Sequence, residues 1–366
     1  MLIKTLSKLV EFQTISSDTN ENRRALEWIT KQLKDIHLYI RKFVFNGHPS
    51  LVITTKNTKK PIIFLQAHLD VVPGSPKMFK PIKKDGKLIG RGVYDMKYAT
   101  ACYIKLLKSL SKNLTKYNLG VMITTDEELG GFNGVSALLN KGFTSSVCFL
   151  PDGGDNWNFQ ESAKGVLHLS ILSKGKSAHA SKPWKGTNAI DSLFDYFYEL
   201  KKYFPNEPCN DKNHNHNTIS IGKFTGGEVA NIIPDTAEAL VDIRFTSETD
   251  KKEIMTLLNK TMKSFRNLKI KKLVSGNAYK SDKNSSYLKM FSKIAYEKFK
   301  IKTSFVISHG SSDARFFAEK GIDTILIRPK GGLIHSENEW IDINELEKFY
   351  VVLEEFVKKA AVQKSD

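Results

Sequence analysis

Residues 61–74, PIIFLQAHLDVVPG, constrain the fold more than any other stretch. Ile62, Ile63, Phe64 and Leu65 make an apolar, β-branched and aromatic run that reads as a buried strand. The run stops at His68-Leu69-Asp70, and Pro73-Gly74 follows. In open α/β sheets chemistry collects just outside the carboxyl ends of strands, which is where His68 stands. His68 and Asp70, two residues apart on extended backbone, point the same way. Asp70 can therefore accept the second ring N–H of His68, the contact that orients a metal-bound imidazole. The same pair also suits a purely structural histidine, so the reading depends on what later strand ends supply.

Composition sets outer bounds. A chain of 366 residues is long enough for two domains with a substantial core. Its 40% hydrophobic and 26% charged content is ordinary for a soluble globular protein. No apolar run approaches the roughly 20 residues that cross a bilayer, so no membrane association is expected. The N-terminal MLIKTLSKLVEFQTI carries Lys4, Lys8 and Glu11 and reads as an amphipathic helix, not a secretory leader. Cys102, Cys148 and Cys209 are odd in number and far apart, which points to a reducing, cytoplasmic setting without disulfides. The 56 Lys and Arg against 39 Asp and Glu give a formal charge of +17. The lysines are scattered, with no arginine-rich tract and no basic-aromatic platform. They read as a solvated surface that can attract anionic substrates, not as a specific nucleic-acid site.

Periodicity predicts helices over 2–12 and 21–36, with Asp18 or Asn20 as N-cap. Strands follow at 38–45, 50–55 and 61–67, then a turn at Asp85-Gly86 and a long helix over 97–112. A buried strand at 118–125 ends in Asp126-Glu127-Glu128, and another at 146–151 ends in Asp152. Strands alternating with helices, each strand ending in a carboxylate or imidazole, argue for an α/β layer fold. From residue 164 the pattern changes to alternating strands and helices in β-α-β-β-α-β order, as in a ferredoxin-like insert. The α/β pattern resumes near 284 and closes with a helix over 343–360. The expected architecture is a discontinuous domain of residues 1–163 and 275–366, with a second domain, 164–274, inserted into it.

Chemistry-bearing residues recur at the strand ends and adjoining loops: His68, Asp70, Asp95, Glu127, Glu128, Asp152 and His335. Two imidazoles with several carboxylates are the mixed nitrogen and oxygen set that suits zinc, and less often cobalt or manganese. Neighbours on extended backbone diverge, so one of Glu127 and Glu128 can bind metal while the other acts as a general base. A solvated turn at Glu127-Glu128 and a helix N-cap at Asp95 are the plainer alternatives.

The strings HLDVVPG, GRGVYDMK, TTDEELGG, PDGG, GKSAHAS, VDIRF, HGSSDARFF and IHSENEWI, in this order over nearly the whole chain, resemble the M20 family of metal-dependent hydrolases. That resemblance implies a mixed sheet flanked by helices in the catalytic domain and a lid and dimerisation role for the insert. It implies two metal ions, expected to be Zn2+ with Co2+ or Mn2+ as substitutes. His68, Asp95 and Asp152 would hold one ion, and Asp95, Glu128 and His335 the other, with Asp95 bridging. Glu127 would be the general base, Asp70 the orienter of His68, and His179 a donor to the tetrahedral oxyanion. Asn231, Arg244, Gly310, Ser311 and Ser312 would bind substrate. A surface-loop role for His179 and a strand ion pair for Arg244 are the alternatives. His214 and His216 in HNHN have no carboxylate framework and read as a polar loop.

Two departures bear on the substrate. Tyr98 stands where the family usually has Gly after Asp-Met-Lys, and is expected to reshape the cleft. Asp152 stands where deacylase-like and carboxypeptidase-like members tend to have Glu and several aminopeptidase-like and dipeptidase-like members have Asp, whereas SSDARFF resembles desuccinylases. The expected substrate is a small peptide bearing a free carboxylate, with an N-acyl amino acid as the alternative and a catalytically silent binding protein as a remote one. A homodimer formed through the lid is expected.

Overall fold

In a computed structural model, residues 1–204, 216–308, 310 and 312–362 are described. Ser311, Cys209, His214 and most of the polar loop before 216 lie outside the described residues. The chain divides into two compact units, one of Met1–Ser162, Lys280–Ser308 and Ser312 onward, the other of Ala163–Tyr279 with Gly310.

The first unit is built on a six-stranded mixed sheet. Its order is Tyr39–Phe45, His48–Thr54, Leu119–Thr124, Ile63–His68, Val147–Phe149 and Asp323–Ile325. The first two strands form a hairpin about Asn46-Gly47, both at positive φ as such a turn requires. The last four run parallel, so their carboxyl ends share one edge. Ile63–His68 is buried along its whole length, as expected of a parallel strand covered on both faces. The covering helices include Lys97–Leu110 and the closing helix Ile343–Ala360. Phe349 and Phe356 from that closing helix pack with Phe149 and Phe291 at ring separations of 5.6–6.1 Å. Each such buried ring contributes about 1.5–3 kcal/mol. The N-cap of Thr19–Gln32 is Asp18, whose carboxylate accepts from the Glu21 amide at 3.0 Å.

A smaller antiparallel sheet of Ile82–Lys84, Lys87–Ile89, Trp340–Asp342 and Gly331–Gly332 ties residues 82–89 to 331–342. It brings the loop carrying Asp95 beside the loop carrying His335. The Gly331-Gly332 pair is part of this sheet. A Cβ on Gly331 would lie 2.3 Å from the Tyr94 ring, so this glycine serves packing.

The second unit follows the order Gly165–Lys174, Ala189–Lys201, Thr218–Gly226, Thr236–Phe245, Glu248–Met262 and Leu268–Gly276. Its antiparallel sheet runs Thr218–Gly226, Thr236–Phe245, Gly165–Lys174, Leu268–Gly276. Along Thr236–Phe245 the period of two places Ala237, Ala239, Val241, Ile243 and Phe245 in a core with Leu193, Tyr196, Phe197 and Leu200. Among the described residues no helix is long and apolar enough to cross a membrane.

Candidate metal centre

His68 ends its strand almost fully buried. Its Nδ1 lies 3.0 Å from the backbone carbonyl of Asp70. A carbonyl only accepts, so Nδ1 carries a proton, while Nε2 faces Asp95 Oδ1 at 3.4 Å and Asp152 Oδ1 at 4.0 Å. The orienting contact thus comes from the Asp70 backbone, with its carboxylate 3.6 Å from Nδ1. That carboxylate has a second task. It accepts from Ser16 Oγ at 2.8 Å and from the amides of Glu127 at 3.3 Å and Glu128 at 3.2 Å. One aspartate therefore fixes both the imidazole and the turn Glu127–Leu129 that follows the neighbouring strand.

Asp95 lies on a loop held by Glu339. The fully buried Glu339 carboxylate accepts from the amides of Gly92, Tyr94 and Asp95 at 2.9, 2.9 and 3.0 Å and pairs with Arg91 at 3.2 Å. Asp95 is not a helix N-cap, since Met96 takes that position. Its Oδ1 faces His68, and its Oδ2 is 2.9 Å from His335 Nε2. Glu128 Oε1 is 3.2 Å from the same His335 nitrogen. His335 sits at φ 63, a backbone conformation that turns its ring back toward these carboxylates.

Ligand atoms of Asp95, Glu128 and His335 all lie within 4.8 Å of one another, and so do those of His68, Glu127 and Asp152. Asp95 stands between the two groups with one oxygen toward each. Burial raises Glu127 well above the usual carboxylate range, and repulsion from Asp152 adds to it. Burial likewise pushes Asp152 up to about 6 against the pull of Arg328. His335 is raised to about 10 by its hydrogen bonds to Asp95 and Glu128. Buried carboxylates crowded round two imidazoles are what divalent cations would relieve, and their nitrogen and oxygen donors fit such ions. The Glu127-Glu128 pair is a packed turn, not a solvated one: both residues are partly buried and their amides are held.

Tyr98, expected at the cleft, is instead fully buried. Its hydroxyl donates to the Pro151 carbonyl at 2.6 Å, and its ring packs on Tyr94 and Phe349. It supports the backbone just before Asp152 from below. Ser312 is buried, with its hydroxyl 3.4 Å from the Ala314 amide at the start of the helix Ala314–Glu319.

His179, Asn231, Arg244 and Gly310 belong to the second unit. The exposed His179 accepts at Nδ1 from the Ser181 amide at 3.1 Å, which leaves its proton on Nε2. Asn231 is adjacent, its carbonyl accepting from the Ala180 amide at 3.0 Å. Arg244 uses its fork on Asp242 instead, at 2.8 and 2.9 Å, in a strand ion pair that His168 joins at 2.8 Å.

Two residues of this edge were not singled out from sequence. Glu339 reads as one more polar residue in SENEW, and its partners lie about 245 positions away. Arg328 follows the last parallel strand, where the strand-end rule that selected His68 also applies.

The profile of the peptidase family M20/M25/M40 matches residues 64–359. A curated relative, succinyl-diaminopimelate desuccinylase of Rickettsia akari (strain Hartford), is 28% identical over 98% of this chain and 100% of its own. The crystal structure of a tripeptidase from Staphylococcus aureus superposes with a TM-score of 0.81 at 21% identity, covering 98% of each chain. A Bacillus subtilis protein described as a dinuclear metal binding peptidase from the M20 family matches with a TM-score of 0.72 at 17% identity, over 98% of this chain and 97% of its own.

Proposed function

We propose that this chain, which belongs to the peptidase family M20/M25/M40 and is a metal-dependent amidohydrolase, uses two divalent ions, expected to be zinc, to cleave an amide bond in a small substrate with a free carboxylate. The observation that carries this reading is the pair of ligand groups meeting at Asp95, with Glu127 beside His68 and Asp152. One group holds His68 and Asp152, the other Glu128 and His335. Bound there, the ions would supply an activated water and polarise the scissile carbonyl. Glu127, whose proton affinity burial raises, takes a proton from the attacking water and returns it to the leaving amine. Asp70 holds the Glu127 backbone in place. His179 presents an Nε2–H suited to a developing oxyanion, and His179 and Asn231 are proposed to act on the substrate.

Two substrate readings follow from different observations. Asp152 favours an unblocked peptide. The full-length relatives described as desuccinylases favour an N-acyl amino acid with an acidic acyl group. Release of free amine from dipeptides, tripeptides, N-acetyl amino acids and N-succinyl-diaminopimelate by zinc-reconstituted protein separates them. Glu127→Gln is expected to retain its metal and lose turnover about 10²–10⁴-fold. Wild-type turnover in that variant would remove Glu127 from the chemistry, and inertness of the wild type on the whole panel would overturn the proposed activity.

A further inference from the structure

The edge that gathers the ligands also holds a cation of its own. Arg328 leaves the last parallel strand and is about nine-tenths buried. Its Nη2 donates to Asp152 Oδ1 and lies 3.6 Å from Asp95 Oδ1. These are the two oxygens that His68 Nε2 faces at 4.0 and 3.4 Å. The guanidinium therefore converges on the same oxygens as one ligand group. It cannot give up its charge by deprotonation. Nor is it a loose surface chain: it lies over the Tyr94 ring at 5.4 Å, and the Tyr94 hydroxyl donates to the carbonyl of the next residue, Pro329, at 3.0 Å. Its Nε is buried with no hydrogen-bond partner among the described residues.

The other group is built differently. Among the described ion pairs, Glu128 and Asp95 Oδ2 face only the His335 imidazole. Charge counting gives the same asymmetry. Asp95, Glu128 and Asp152 carry three negative charges, which Arg328 and one divalent ion already balance. A second divalent ion must enter against the guanidinium and take over the Asp152 oxygen that Arg328 holds.

We propose that Arg328 is a built-in cation of the His68–Asp152 position, which makes the two metal positions unequal. The ion at Asp95, Glu128 and His335 is retained, and the ion at His68 and Asp152 is exchangeable. This rests on the metal reading of the site and goes beyond it by assigning a control of occupancy to one side chain. Hydrolysis then depends on free metal through the weaker position alone.

Metal binding tests this without an activity assay. Metal-free wild type is titrated with Zn2+ and with Co2+, and bound metal is measured after equilibrium dialysis. One equivalent is expected to bind tightly and a second only at about 10–100-fold higher free metal. Arg328→Met, which keeps bulk and removes charge, should tighten the second equivalent by about 10–100-fold, and Arg328→Lys should keep the unequal isotherm. His68→Ala should remove the weak equivalent and His335→Ala the tight one. Two equally tight equivalents in the wild type overturn the proposal, and that result needs no variant to fold. So does an unchanged second equivalent in an Arg328→Met protein that melts cooperatively. Protein that binds no metal at all would instead overturn the metal reading beneath it.

Discussion

A carboxylate surrounded by amide donors is a structural part, and one facing other carboxylates waits for a cation. The site holds both kinds. Glu339 is the first, with three backbone N–H groups and Arg91 directed at it. Glu339→Ala should cost about 3–5 kcal/mol in denaturant unfolding, because it leaves Arg91 buried without its partner. It should also weaken metal binding about 10–100-fold by freeing the Asp95 loop. Wild-type stability in that variant would refute the clamp. The metal-type residues were legible because each follows an apolar run or a glycine-rich turn. Glu339 and Arg328 were not, since their meaning lies in partners far along the chain. Tyr98 was misread for a related reason: its departure from a motif was visible, but the direction of its side chain was not.

At the scale of an element, the turn after Leu119–Thr124 is held from several sides. Asp126 accepts from the amides of Asn133 and Gly134 at 2.7 and 3.0 Å, while Asp70 holds Glu127 and Glu128. Gly131, at φ +67, lets Asp313 come so close that a Cβ there would lie 1.9 Å from its carboxylate oxygen. Asp313 is buried with neither oxygen hydrogen-bonded among the described residues. Burial, with repulsion from Asp126, pushes it up to about 8. A carboxyl that is protonated in the fold but ionised in the unfolded chain loses its stabilising contribution as pH rises from about 4 through about 8. Metal-free protein should therefore show urea midpoints that fall from about pH 4 to about pH 8, and Asp313→Asn should flatten that slope. Equal slopes would mean that Asp313 stays ionised in the fold. Elements with strong periodicity were readable, and Asp18 was available as a cap from the start. The last strand of the β-α-β-β-α-β order, Leu268–Gly276, had no bounds from sequence because LKIKKLVSG carries three lysines, and its pairing with Gly165–Lys174 defines them.

At the scale of the whole molecule, each unit has its own core. The second also carries exposed aromatics on one helix: Phe194 and Tyr198, four residues apart, are 61% and 69% accessible. Such a stripe suits a partner of the same kind, and we propose that the homodimer expected from the sequence uses it. Light scattering is expected to give the mass of two chains, and Phe194→Glu with Tyr198→Glu to give the mass of one. A monomeric wild type would end that proposal.

Glu339 also sets a schedule. The segment Ala163–Tyr279 is nearly continuous in sequence, so the nascent chain can complete that core while synthesis is still under way. The ligand edge cannot follow so early. His68 and Asp95 emerge long before His335, and the Gly92, Tyr94 and Asp95 amides of the loop that presents Asp95 lack their acceptor until Glu339 leaves the ribosome. A half-made chain thus exposes scattered donors without a cage to trap an ion. Ions that bind as proposed would load only on the finished polypeptide.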